Sequence, residues 1–287
     1  MTITIKADNI NIPVETVRFS DGAINLRIVP PEGFEVKSYV TITLGPDSNC
    51  TEALFEILLA RNAVHHTFTN IPELNLDLRY LPHARADRSF EYGNGNPLLV
   101  FATAIGNSMF DNIFLLDPHS GKFVEYLDCN STFTELIVTE QHTCFMNTVF
   151  GLQSGDVLIS PDKGASKKIY KLQQALDYKG IATFVVQADK KRDIETGRII
   201  ETTLPEGTDL TGKRVVIVDD LLDAGGTFIP LANKLKEAGA EGVELYITHG
   251  IFAKGLELFK GVIDKIHCYQ IISNYITKQD LTKFNNQ

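Results

Sequence analysis

Residues Arg214 to Thr227 read Arg-Val-Val-Ile-Val-Asp-Asp-Leu-Leu-Asp-Ala-Gly-Gly-Thr, and they constrain the fold more than any other stretch. Val215-Val216-Ile217-Val218 is continuously apolar and β-branched, with no polar face. Such a strand must be covered on both sides, as in a parallel sheet flanked by helices. Two carboxylates, Asp219 and Asp220, close the run, and a glycine-containing turn follows. From Thr227 the spacing predicts a helix to Ala238. Phe228, Leu231, Ala232, Leu235 and Ala238 fall on one face, with Pro230 in the first turn and Gly239 just past the end.

Ligands of open α/β sheets bind at the carboxyl ends of strands. A turn that opens a helix there presents backbone N–H groups and a helix dipole to a phosphate. Two carboxylates would repel that phosphate, but they suit the hydroxyls of a sugar attached to it. Asp219 and Asp220 are therefore read as sugar acceptors, and Asp223, Ala224, Gly225, Gly226 and Thr227 as a phosphate cradle. The simpler alternative is that Asp223 and Thr227 only cap the helix. The pattern GxxxxGK[ST] occurs nowhere, so a Walker-type site is excluded.

The remaining chain has the same grain. Strands are expected at 14–19, 23–28, 36–44, 74–81, 98–103, 112–116, 156–159, 182–187, 214–218, 243–248 and 265–272, and helices at 51–65, 165–178 and 227–238. This alternation gives an α/β class. The 287 residues suffice for two domains, and the division is expected as 1–146 and 147–287. The polar stretch 195–212 reads as an exposed loop.

A formal charge of −9 argues against nucleic acid as a partner. No run approaches the ~20 apolar residues of a membrane span. The four cysteines form no CxxC pair, the start MTITIKADNI carries no secretory pattern, and a cytoplasmic location is expected.

Several further segments carry charge or aromatic groups at strand ends. They are Arg18-Phe-Ser-Asp-Gly-Ala23, Tyr80-Leu-Pro-His-Ala-Arg-Ala-Asp-Arg88, Asp117-Pro-His-Ser120, Ser160-Pro-Asp-Lys-Gly164, Ala188-Asp-Lys-Lys-Arg192 and Thr248-His-Gly-Ile-Phe252. Each alone is commonplace: a core phenylalanine, a solvated basic turn, a structural histidine or a proline turn.

Together with the 214–227 loop they resemble the ribose-phosphate pyrophosphokinase family from Phe19 to about Asn274. The resemblance implies two phosphoribosyltransferase-like (type I) domains, each a mainly parallel sheet flanked by helices. It implies transfer of the β,γ-diphosphoryl group of ATP to the anomeric hydroxyl of ribose 5-phosphate, with Mg2+ as cofactor. Phe19, Asp21, Arg85 and Asp87 would bind ATP. His119 would help position Mg2+–ATP as a metal contact, and Asp162 would hold a second Mg2+ or a ribose hydroxyl. Lys190 and Arg192, at the start of the family's mobile loop, would stabilise the transferring diphosphoryl group. A homo-oligomer is implied as well.

The sequence departs from the family where Ala224 replaces a threonine of the phosphate loop, Ala86 a glutamine and Ala23 a glutamate. Ala224 and Gly225 are expected to leave room for an acceptor longer than ribose 5-phosphate, such as ADP-ribose. Two other functions share parts of the pattern: a phosphoribosyltransferase, and a non-catalytic protein of the same fold.

Overall fold

The computed structural model describes residues 3–46, 50–89, 91–129, 134–149, 151–192 and 199–286. The chain forms two compact units, Met1–Thr139 and Glu140–Gln287.

The first unit begins with β1 (Ile3–Ala7), β2 (Ile10–Ile12), β3 (Val14–Arg18), β4 (Ile24–Ile28), β5 (Val40–Leu44), α1 (Cys50–Thr67) and β6 (Leu74–Leu78). It continues with α2 (Pro97–Gly106), β7 (Asn112–Leu116), α3 (Lys122–Asp128) and β8 (Glu135–Thr139). Its sheet runs β2-β1-β5-β6-β7-β8. The strands from β5 to β8 are parallel, while β1 pairs antiparallel with both β2 and β5. Strands β3 and β4 form a separate antiparallel ribbon.

The second unit holds α4 (Gln141–Met146), β9 (Val157–Ser160), α5 (Lys163–Tyr178), β10 (Phe184–Gln187), β11 (Asp189–Arg192) and β12 (Ile199–Thr203). It ends with β13 (Arg214–Leu222), α6 (Phe228–Glu237), β14 (Gly242–Gly250), a 3-10 turn at Glu257–Phe259, β15 (Lys265–Ile271) and α7 (Lys278–Asn285). Its sheet, β10-β9-β13-β14-β15, is parallel throughout. Val215, Val216, Ile217 and Val218 are all fully buried at its centre, as their unbroken apolar run requires. Each unit has its own core, one around Ile42, Leu76 and Phe101, the other around Ile217, Leu245 and Phe259.

Three expectations need correction. Residues 98–103 are helix, not strand: Asn96 caps the helix by accepting the Leu99 N–H, and Pro97 occupies its first turn. Leu98, Phe101, Ala102 and Ile105 are buried at helical spacing, so a short apolar run misled the period. The division falls after Thr139, earlier than expected, because α4 packs on α5 and β14. The stretch 195–212 contains β12, which pairs antiparallel with β11; residues 195–198 lie outside the described residues.

Candidate active site

The Asp219–Thr227 turn leaves the carboxyl end of β13 and enters α6. Its backbone is held from behind. The Ile251 N–H donates to Leu222 O at 2.8 Å and the Ala253 N–H to Asp223 O at 3.0 Å. Gly225 has φ +79°, and a Cβ built on it would lie 2.8 Å from Leu258 Cδ1 and 2.9 Å from Phe259 Cζ. Glycine is needed there for backbone freedom and for close approach. Gly250 is under the same kind of pressure, its missing Cβ facing Phe252 and Cys268. The Thr248–Phe252 segment therefore braces the loop.

This finding revises one expectation. The small side of Gly225 is filled by packed protein, so it provides no extra room for substrate. Gly226 differs, since nothing lies within 4 Å of a Cβ placed on it. Nor does Thr227 act as a helix cap: it is the N-cap residue of α6, yet its side chain makes no capping hydrogen bond. The hydroxyl faces Lys190, whose Nζ lies 3.4 Å from Thr227 Oγ1.

Lys190 is the centre of the arrangement. It stands on β11, only 7% of its side chain is exposed, and Nζ is 2.8 Å from Oδ2 of Asp162. Asp162 also caps α5, its Oδ1 accepting the Ala165 N–H at 3.1 Å. Burial works to raise the Asp162 carboxyl, but the Lys190 hydrogen bond and charge, with the amides of Ala165 and Gly164, bring it below the usual range. Asp219 moves the other way. Desolvation first, then the negative charges of Asp220 and Asp162, push its carboxyl well up. Asp220 is the more enclosed of the pair by surface area, at 6% exposed, and its N–H donates to Asp219 Oδ1 at 2.9 Å. The structure thus gathers Asp162, Lys190, Asp219, Asp220 and Thr227 from three separate motifs. Arg192 closes β11, but its side chain lies outside the described residues.

Sequence reading passed over Lys168, whose Nζ is 3.1 Å from Asp220 Oδ2. Its signal was weak: one cation in the Lys167-Lys168 pair of an amphipathic helix, where charges usually face solvent.

In the first unit, Asp87 is buried and its carboxyl lies below the usual range. Burial opposes this, and hydrogen bonds from Arg88 and Ser120 outweigh it, with Arg88 and His119 adding favourable charge. Two motifs some thirty residues apart are thereby joined, Asp87 from one and His119-Ser120 from the other. Both carry a non-glycine residue at positive φ, His83 at 60° and Asp117 at 36°. Arg85 is exposed between the buried Ala84 and Asp87.

Phe19, 53% exposed, sits in the β3–β4 turn. Asp21 accepts the Ala23 N–H at 3.0 Å, which shapes that turn, and Arg18 pairs with Glu52 on α1. The structure thus leaves the Phe19 ring open to solvent and gives Asp21 a local structural duty.

An all-parallel sheet with a carboxylate-glycine loop between its central strand and a helix defines the second unit as a phosphoribosyltransferase-type domain. Residues 146–278 accordingly match the phosphoribosyl transferase domain family. Over nearly its whole length the chain is similar to the ribose-phosphate pyrophosphokinases. The enzyme of Pyrococcus furiosus is 26% identical, with 92% of this chain and 88% of that protein covered. That of Thermococcus kodakarensis is 27% identical over 89% and 84% of the two chains. The crystal structure of phosphoribosylpyrophosphate synthetase from Mycobacterium smegmatis matches with a TM-score of 0.67, covering 96% of this chain and 91% of its own. At 17% identity that likeness is one of fold.

Proposed function

We propose that this enzyme transfers the β,γ-diphosphoryl group of ATP to the anomeric 1-hydroxyl of a phosphorylated ribose and releases AMP. The hydroxyl oxygen forms a bond to the β-phosphorus, the bond from that phosphorus to the α,β-bridging oxygen breaks, and the hydroxyl proton is lost. One observation carries the reading: Lys190, from the predicted catalytic segment, reaches the sugar-phosphate loop at Thr227. A phosphoribosyltransferase would need the loop but not this cation.

In this reading Asp219 and Asp220 hold the ribose hydroxyls, and the Asp223–Thr227 turn holds the 5-phosphate with its amides. Lys190 and Arg192 neutralise charge on the transferring oxygens, where fixed cations act most strongly once water is excluded. Phe19, Asp21, Arg85, Asp87 and His119 serve ATP. Mg2+ fits the donors present. Among the described residues no three His, Cys, Asp or Glu side chains gather into a cage. Mg2+ is commonly held by one or two carboxylates together with substrate phosphates. Asp162 of the second unit and His119 of the first are the residues assigned to the metal, which would supply charge neutralisation on the polyphosphate.

Ribose 5-phosphate is the acceptor proposed first. A longer acceptor such as ADP-ribose is favoured by Ala224, which lacks a hydroxyl for the phosphate, and by the open space in front of Gly226. A homo-oligomer is part of the proposal, to be measured by light scattering.

The test is incubation with ATP, Mg2+ and either sugar, following AMP and the phosphorus NMR spectrum. AMP equimolar with a new C1-diphosphate supports the reading and names the acceptor. Absence of AMP with both sugars would reject it in favour of a phosphoribosyltransferase or a binding protein.

A further inference from the structure

Asp220 is fixed by more than its own strand. Lys168 on α5 places Nζ 3.1 Å from Asp220 Oδ2, across 52 residues of sequence. The Asp220 side chain is 8% exposed and that of Lys168 30%. The helix that carries the lysine is firmly seated. Asp162 caps it, Ser166 Oγ donates to Gln187 Oε1 at 2.6 Å, and Ile169, Leu172 and Leu176 are buried beneath it. Lys190 stands instead on a two-stranded ribbon apart from the main sheet. The two lysines thus reach the same loop from two different elements, α5 and β11.

We propose that Lys168 is a positioning residue for the acceptor sugar. It engages Oδ2 of Asp220 and so fixes the orientation in which that carboxylate meets a sugar hydroxyl. Because its contact is with Asp220, assigned to the sugar, it acts on acceptor binding and not on the transfer step. This assignment rests on the sugar-binding role proposed for Asp220.

The experiment measures ribose 5-phosphate and ADP-ribose binding to the intact protein by calorimetry, beside steady-state AMP release. Lys168→Met should raise Kd and KM for the bound sugar about tenfold, as expected for loss of a charge-assisted contact, with kcat and KM for ATP within about twofold. Lys168→Arg should restore most of the affinity. A loss confined to kcat, or no rescue by arginine, overturns the assignment.

A lone buried carboxylate can also undermine folding, so a second comparison uses Asp220→Asn. Lys168→Met combined with Asp220→Asn should bind sugar no more weakly than Asp220→Asn alone, because the lysine acts through that carboxylate. Further weakening in the double variant would mean that Lys168 meets the sugar directly, which also overturns the assignment. A wild-type protein that binds sugar without releasing AMP would reject diphosphoryl transfer while leaving these binding comparisons intact. Wild type that binds neither sugar overturns both.

Discussion

Nζ of Lys190 lies 2.8 Å from Oδ2 of Asp162, so the residue assigned to catalysis is paired with the residue assigned to the metal. The pairing has a simple electrostatic sense. Asp162, Asp219 and Asp220 converge at the carboxyl end of the sheet, and like charges so close would repel unless cations balance them. Lys190 and Lys168 provide that balance. In the proposed reaction Asp162 would hold the divalent ion, and Lys190 would serve the diphosphoryl group.

Lys190→Ala should lower kcat by about 10²-fold, the usual cost of one preorganised donor to transition-state charge, with KM for ATP little changed. Initial rates of AMP release at saturating and limiting ATP test this. Full turnover with weakened ATP binding would contradict the role.

Adjacent glycines in the loop should respond in opposite ways. Gly225→Ala forces a side chain onto φ +79° and into Leu258 and Phe259. A destabilisation of about 1–3 kcal/mol is expected from overpacking in such a site. Gly226→Ala meets no atom within 4 Å, so stability should be unchanged while acceptor KM rises. Thermal melts and steady-state kinetics on both variants decide the matter. Ala224→Thr should move preference toward ribose 5-phosphate by restoring a hydroxyl to the cradle.

Asp87 and Arg85 should separate structure from binding. Arg85 is exposed, so Arg85→Ala should leave the melting temperature unchanged and raise KM for ATP about tenfold. Asp87 is buried with hydrogen bonds from Arg88 and Ser120, so Asp87→Asn should lower the melting temperature as well.

Far from the loop, at the amino ends of the strands, Arg214 donates to both oxygens of Glu244 at 3.0 and 2.8 Å, and His267 Nε2 lies 2.7 Å from Oε2. Burial opposes the charge, yet these hydrogen bonds hold the Glu244 carboxyl down to about 2, against an ordinary 4.5. A lowered carboxyl stabilises the fold above the unfolded value and loses that contribution as pH falls. Between pH 4.5 and 2 the wild type should lose about 3 kcal/mol through this group. Glu244→Gln should lack that part of the slope in urea unfolding, and equal slopes in the two proteins would refute the assignment.

Much of this was legible in the sequence, for definite reasons. The 214–227 segment announces its strand, turn and helix because burial on both faces, paired carboxylates and helical spacing all agree there. The α2 helix was not legible, since Leu98-Leu99-Val100-Phe101 is apolar at every position and carries no period; only Asn96-Pro97 hinted at a helix start. Lys168 escaped because a lysine's reach across a fold is a tertiary fact. The role of Gly225 was misjudged for the same reason, as Leu258 and Phe259 lie more than thirty residues further on.

The bracing of the loop from its far side has an evolutionary consequence. The backbone course at 223–225 is dictated by Ile251, Ala253, Leu258 and Phe259, whatever side chains stand on the near side. Position 226 is free of that bracing, since nothing lies within 4 Å of a Cβ placed on it. Substitutions on that open side would alter the near face of the loop, while the scaffold beneath goes on being inherited intact.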